Sequence, residues 1–276
     1  MKYGYKNGKI KKMKDILISP YDLGFLRGYA IFDVSRTTKD GKIFLLEEHY
    51  KRIKNSTKEL SIKFNLSKEE FKDIVKKLLL KNNLKEAIIR VIITGGKSSD
   101  GFNFKNNSTV LILIEKIKLP NKNILEQGVN LVSLEYSRNY SKIKHTNYIE
   151  AIKNQSLKKK FEAFEILYIK NKIVFECSTA NIFIIKKNII YTPKDGILFG
   201  ITRQLVIDLI KKNNFKIKEK VIKEKELYSA DEVFITATNK NILPVVKINN
   251  KKINNKLVGE NTKKLISLFK EFENNY

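Results

Sequence analysis

The sequence predicts an α+β protein of two domains, and three observations carry that reading. Up to about residue 117 the segments run strand, strand, helix, helix, strand, strand, the order of an α+β unit and not of alternating βαβ crossovers. A polar stretch with a proline, Lys118-Leu119-Pro120-Asn121-Lys122-Asn123, then interrupts the pattern. Beyond it a second series of short strands with few helices closes on an amphipathic helix. The expected division is an N-terminal domain 1–117, a linker 118–125 and a C-terminal domain 126–276.

In Tyr3-Gly4-Tyr5-Lys6-Asn7-Gly8-Lys9-Ile10, Asn-Gly between short alternating segments signals a hairpin. Gly24 and Gly28 bracket Phe25-Leu26-Arg27 ahead of a strand from Val34 to Thr37, and predict a tight turn with close backbone approach. Asp40-Gly41 turns the chain back through Ile43 to Leu46. His49 to Leu60 has helical spacing, and Ser67-Lys68-Glu69-Glu70 is a capping box opening a helix to about Leu80. Ala87 to Thr94 is an apolar strand interrupted by Arg90, followed by the polar loop Gly95 to Gly101 and a strand Val110 to Ile114.

In the second half, strands Val129 to Glu135 and Glu165 to Lys170 flank a helix from about Tyr148 to Phe161. Phe175 to Phe183, a hairpin to Tyr191-Thr192-Pro193 and the turn Gly196 to Arg203 lead into a helix ending near Lys212. Phe215 to Val221, Asp231 to Thr236 and Val245 to Ile253 read as strands, with a turn at Asn249-Asn250, and Leu257 to Phe272 as the closing helix.

Composition narrows the function. With 42% hydrophobic residues the chain is that of a soluble globular protein, no apolar run approaches a membrane span, and Met1 to Lys6 lacks the apolar core of a signal peptide. The single cysteine, Cys177, allows no internal disulfide, so a reducing cytoplasm is expected. A formal charge of +26 raises nucleic acid as a partner, but the lysines are scattered among Asn and Ile, and the longest run, Lys158-Lys159-Lys160, fits a solvated helix face. Compositional drift accounts for this better, and a basic nucleic-acid-binding protein stays a remote alternative. No metal site is expected.

The most informative stretch is Phe175 to Arg203. Glu176 lies at the end of a strand, and Gly200-Ile201-Thr202 then opens a helix whose first N–H groups can cradle a phosphate. Read alone, Gly-x-Thr is an ordinary N-cap.

Taken together, Gly24 to Asp33, His49 to Ile53, Lys144-His145-Thr146-Asn147-Tyr148, Glu176 to Phe183, Gly200 to Arg203, Ala230 to Thr238 and Pro244-Val245 resemble, in order and over nearly the full length, the fold-type IV pyridoxal-phosphate enzymes. That family holds branched-chain aminotransferases, D-amino-acid aminotransferases and aminodeoxychorismate lyases. The resemblance implies a smaller N-terminal α/β sandwich, a larger barrel-like C-terminal domain, pyridoxal 5'-phosphate between them, and a homodimer. It selects Lys144 as the lysine that binds the cofactor aldehyde and then carries a proton. Glu176 is implied to face the pyridine nitrogen. Ile201, Thr202, Thr238 and Arg52 are implied to hold the phosphate, and Tyr148 the ring oxygen, although Tyr148 stands one residue closer to the lysine than in branched-chain enzymes. Asp231-Glu232 is implied to be structural and stays outside the site, as does Cys177, read as a small packed residue.

Phe32, Thr236 and Ala237 fall in matched segments implied to line the substrate. Arg90, a cation in an apolar strand, should be paired or bind an anion. It matches the arginine with which branched-chain enzymes hold the distal carboxylate of glutamate. Arg27 departs from the tyrosine common there, so Arg27 and Arg90 could together grip an α-carboxylate, resembling an atypical D-amino-acid arrangement. The usual D-enzyme trap of an arginine and a histidine is missing from Gly95 to Phe102, and so is the lyases' Arg-Gly pattern. The expectation is an amino-acid:2-oxo-acid aminotransferase for branched-chain L-amino acids and 2-oxoglutarate, followed by a D-amino-acid transaminase and then the lyase.

Overall fold

Asn7 and Gly8 take positive φ of 42° and 86°, which turns β1 (Tyr3–Lys6) back onto β2 (Lys9–Lys12) in the expected hairpin. They open a computed structural model that describes residues 1–104 and 107–276. The chain divides into two units, one of Met1–Lys118 with Ile143–Asn147 and one of Leu119–Lys142 with Tyr148–Tyr276.

The first unit adds α1 (Leu23–Arg27), β3 (Ala30–Arg36), α2 (Leu46–Glu59), α3 (Lys68–Asn82), β4 (Ala87–Thr94) and β5 (Thr109–Lys116). Its antiparallel sheet has the order β2-β1-β5-β4-β3. Ile31 of β3, Ile89, Val91 and Ile93 of β4, and Ile112 and Ile114 of β5 pack into one core with Ile53 of α2 and Phe71, Val75 and Leu78 of α3. The alternate residues of these strands, Phe32, Val34, Arg90, Ile92 and Leu113, lie on the other face and are half-buried. The capping box holds, since Glu70 N donates to Ser67 Oγ at 3.1 Å and Ser67 N to the Glu70 carboxylate at 2.7 Å. The turn expected at Gly24 to Gly28 is the five-residue helix α1, capped by buried Asp22, which accepts from Gly24 N and from the Thr94 and Thr109 hydroxyls. Approach at Gly24 is close: a Cβ there would stand 2.4 Å from Thr94 Cγ2.

The second unit is built on β6 (Val129–Glu135), β7 (Glu165–Lys170), β8 (Ile173–Cys177), β9 (Asn181–Lys186), β10 (Ile189–Pro193), β11 (Lys216–Lys220), β12 (Ile222–Lys223), β13 (Glu232–Ala237), β14 (Asn241–Ile248) and β15 (Lys251–Lys252). Its path is β11-β10-β9-β13-β14-β6-β7-β8-β12, with β15 on β14. β8 and β9 stand near opposite ends of that path yet are joined by Ser178–Ala180 alone, with Cys177 N donating to Ala180 O at 2.8 Å. A short connection between distant strands requires the sheet to curl almost into a barrel. Leu131, Leu167, Val174, Cys177, Ile182, Ile184, Ile235 and Leu243 share one core.

The helices of this unit are α4 (Lys122–Gln127), α5 (Ile149–Lys153), α6 (Gln155–Lys160), α7 (Ile201–Lys212), α8 (Glu224–Tyr228) and α9 (Glu260–Asn274). The single helix expected from Tyr148 to Phe161 is the pair α5 and α6, broken where Asn154 Nδ2 bonds back to Glu150 O at 2.9 Å. The polar stretch at 118–123 carries the start of α4, with Asn121 Oδ1 accepting from Ile124 N. β14 begins four residues before the expected Val245, and Pro244 fits inside it because β6 joins only from Val245, leaving the proline a neighbour on one side. Glu232 is structural, accepting from Asn261 N, Thr262 N and Thr262 Oγ1 at the start of α9, while Asp231 pairs with Lys186.

Candidate active site

In the first unit the exposed edge of β3 is extended by the segment carrying Lys144. Ile31 and His145 form an antiparallel bridge, Phe32 N donates to Lys144 O at 2.8 Å, and Thr146 N to Ala30 O at 3.1 Å. Ile143, buried in the core of that unit, anchors the segment. The backbone on both sides of Lys144 is thereby fixed, and its Nζ stands 4.4 Å from the centre of the Phe32 ring.

One residue further along β3 the side chain turns inward. Asp33 is buried, and His49 and Arg52, three residues apart on one face of α2, both reach it: His49 Nδ1 at 2.6 Å and Arg52 Nε at 2.7 Å. Burial would raise the Asp33 pKa, but the Arg52 and His49 contacts outweigh it and hold the carboxyl far below its usual range. Burial depresses His49, so the imidazole is neutral and its Nδ1–H donates to Asp33 in a hydrogen bond, not an ion pair. Arg52 is thus oriented from behind by a permanent carboxylate. Both folded pKa values lie below the unfolded ones, so both groups stabilise at neutral pH and lose that contribution as pH falls. We expect the thermal midpoint to drop as pH passes below about 6.5, where unfolded His49 takes up a proton that the folded form refuses. A steeper fall should follow below about pH 4 from Asp33. Thermal melts across this range check it, and His49→Gln should remove the upper limb.

The second unit holds Glu176, buried at the end of β8. Its carboxylate accepts from Arg138 Nη1 at 3.1 Å and from Leu198 N at 3.0 Å, and Asn181 Nδ2 stands 3.5 Å away while donating to Leu198 O at 2.8 Å. Leu198 leads through Phe199 and Gly200 into α7, so Glu176 and this helix start are mechanically joined. α7 has no side-chain N-cap, and its N-cap Gly200 packs so tightly that a Cβ would lie 2.1 Å from Asn181 Oδ1. Arg203 fixes the first turn by donating to Pro193 O at 2.9 Å and pairing with Glu219 at 2.7 Å. Ile201 and Thr202 are buried beside the uncapped N–H groups.

Thr236 faces Asn181 across the β9–β13 pair, so both side chains leave the same face of the sheet. Thr236 Oγ1 is buried without a hydrogen-bond partner among the described residues. Ala237 and Thr238 follow, half-buried, at the end of β13. Tyr148 is half-buried at the start of α5. Cys177 is buried in the core of the unit and its thiol is pushed well up by burial, which leaves it inert. Among the described residues no cluster of side chains could hold a metal ion, and no helix is long and apolar enough to cross a membrane.

A family model for class IV amino-transferases matches residues 30–248. The chain belongs to the class IV aminotransferases. It is 35% identical, over 99% of its own length and 96% of the other, to a Methanocaldococcus jannaschii protein named "Putative branched-chain-amino-acid aminotransferase". It is 28% identical, over 96% of each chain, to the D-alanine aminotransferase of Staphylococcus epidermidis strain RP62A. The crystal structure of the T.th. branched-chain amino acid aminotransferase complexed with N-(5'-phosphopyridoxyl)-L-glutamate is similar, with TM-score 0.90, 25% identity, and coverage of 98% of this chain and 93% of that one.

This class IV aminotransferase is a pyridoxal-phosphate-dependent transaminase. The second unit fits that cofactor. An uncapped helix start with an unsatisfied buried hydroxyl on the adjoining sheet face suits a phosphate, and a buried carboxylate suits a protonated pyridine nitrogen.

Phe32, Arg52, Arg90, Arg27 and Lys144 belong to the first unit, and Tyr148, Glu176, Ile201, Thr202, Thr236, Ala237 and Thr238 to the second. Arg90 forms a two-pronged ion pair with Glu115, its diagonal neighbour on β5, at 2.9 and 3.2 Å. Arg27 stacks on the ring of Phe102 at 4.7 Å, and among the described residues no carboxylate pairs with it. Sequence reasoning missed Asp33, His49, Arg138 and Asn181. A visible signal existed for the first two, an acid in an apolar strand and histidine three residues before Arg52. Arg138 and Asn181 had none.

Proposed function

We propose that this aminotransferase exchanges amino groups between branched-chain L-amino acids and 2-oxoglutarate. The observation that carries the reading is the outer face of the first unit's sheet. Lys144 Nζ stands over Phe32, and Phe32, Val34, Ile92 and Leu113 extend an apolar floor from it. Arg90, half-exposed and held by Glu115, is the cation of that floor. A leucine side chain needs only apolar surface, while the distal carboxylate of glutamate needs a cation that it can take over from Glu115.

Bound pyridoxal phosphate supplies an electron sink for negative charge at the substrate Cα. Lys144 Nζ takes the Cα proton and returns it. Glu176 would hold a proton on the pyridine nitrogen, its carboxylate aimed by the hydrogen bonds from Arg138 and Leu198 N. Thr202, Thr238 and the first N–H groups of α7 would bind the phosphate, a role that the family resemblance also assigns to Arg52. Tyr148 would contact the ring oxygen, and Thr236 and Ala237 would line the substrate. The working form is a cytoplasmic homodimer.

The test is a set of half-reactions. Purified yellow protein is mixed separately with L-leucine, L-glutamate, D-alanine and D-glutamate while the visible cofactor absorbance is followed. Bleaching by the two L-amino acids is expected. Bleaching by the D-amino acids alone would overturn the reading in favour of a D-transaminase. That alternative is favoured by one observation, the guanidinium of Arg27, which stacks on Phe102, has no carboxylate partner among the described residues, and with Arg90 would grip an α-carboxylate. No bleaching at all would send the protein to an aminodeoxychorismate lyase assay.

Arg90→Ala sharpens the choice. We expect kcat/KM for L-glutamate to fall about 100-fold and for L-leucine less than about threefold, because only glutamate uses the distal cation. Equal losses for both would assign Arg90 to the α-carboxylate.

A further inference from the structure

Behind the Thr238 turn of the second unit lies a buried polar network that the functions above leave unused. Lys240 Nζ is 2.8 Å from Glu165 Oε1 and 2.5 Å from Thr179 Oγ1. The hydroxyls of Ser178 and Thr179 both donate to the Glu165 carboxylate. The Lys240 and Glu165 side chains are only 9% and 6% exposed, so this is a desolvated ion pair with its remaining lone pairs filled. Burial would raise the Glu165 pKa, but Lys240 and the two hydroxyls outweigh it and keep the carboxyl ionised.

Its placement gives the network its meaning. Lys240 N donates to Ala237 O at 3.0 Å, closing a four-residue turn with Thr238 and Asn239 at the tip. The same lysine's side chain ties that turn to the start of β7, through Glu165, and to the Ser178–Ala180 connection. That connection begins two residues after Glu176. One buried lysine therefore sets the Thr238 turn against the strand end that carries Glu176. A buried ion pair adds little net stability over an apolar pair of the same volume, and its use lies in holding one geometry.

We propose that Lys240 and Glu165 are a positioning pair that presents the Thr238 turn to the phosphate of the cofactor. This rests on the reading that Thr238 and the start of α7 hold that phosphate. The test compares cofactor-free wild type, Lys240→Met, Glu165→Gln and the double variant in binding pyridoxal 5'-phosphate and pyridoxal, which differ only in the phosphate, with a thermal melt of each. Either single variant should melt lower because it strands a buried charge, and the double variant should recover most of the wild-type midpoint. The recovered double variant should still bind pyridoxal phosphate about tenfold more weakly than wild type, with pyridoxal affinity changed less than about twofold. Wild-type affinity for pyridoxal phosphate in the double variant would overturn the proposal, as would equal losses for both ligands, which mark general damage. Wild type binding the two ligands equally well would overturn the phosphate reading itself, and this inference with it.

Discussion

Replacing Lys144 with alanine should abolish transamination while leaving the fold intact. In the proposed mechanism this side chain carries the proton between the substrate Cα and the cofactor, and a positioned acid–base group of this kind contributes about 10²- to 10⁴-fold, before the loss of its covalent role is added. We expect kcat with L-leucine and 2-oxoglutarate to fall by about 10⁴-fold or more. Stability should change little, because alanine gives up the contact of Nζ with the Phe32 ring but keeps the backbone bonds that fix this segment, Phe32 N to Lys144 O and Thr146 N to Ala30 O. Steady-state turnover and a urea melt read the two effects separately. Turnover within about tenfold of wild type would remove Lys144 from the chemistry and would reopen the choice among the many other lysines of the chain.

Glu176→Gln should produce the second largest effect, and a mixed one. The Glu176 side chain is 5% exposed and its partner Arg138 6%, so the pair is desolvated. Glutamine can still accept from Leu198 N, but it brings an amide donor toward the Arg138 guanidinium and removes its counter-charge. Breaking a buried pair from one side costs about 3 kcal/mol, read as a lower urea midpoint. In the proposed mechanism the proton on the pyridine nitrogen loses its carboxylate, and we expect kcat at saturating cofactor to fall about 100-fold. Unchanged kcat beside a lower midpoint would reduce Glu176 to a structural anchor.

Much of the architecture was legible because it is written in local rules. Asn7-Gly8 fits a turn with two positive φ angles, Ser67 and Glu70 satisfy each other across one helical turn, and Ala87 to Thr94 has no residue that a strand would reject. Where local rules failed, a longer-range fact decided. Pro244 reads as a strand boundary, yet it is tolerated inside β14 because its neighbour on one side starts only at Val245. Asn154 reads as one polar residue within a helix, yet its side chain bonds back to Glu150 and splits that helix in two.

The candidate site divides along the same line. Sequence by itself, through the family resemblance, named the candidates whose chemistry is tied to a motif: Lys144, Arg52, Glu176, and Ile201 with Thr202 at a helix start. Only the tertiary structure decided what holds those residues and which cations are already engaged. Nothing near Arg90 in sequence foretells Glu115, 25 residues away, and nothing near Glu176 foretells Arg138, 38 residues before it. The physical reason is that a charge in the interior must be balanced across space, and the sheet register that sets which side chains meet is a property of the whole fold.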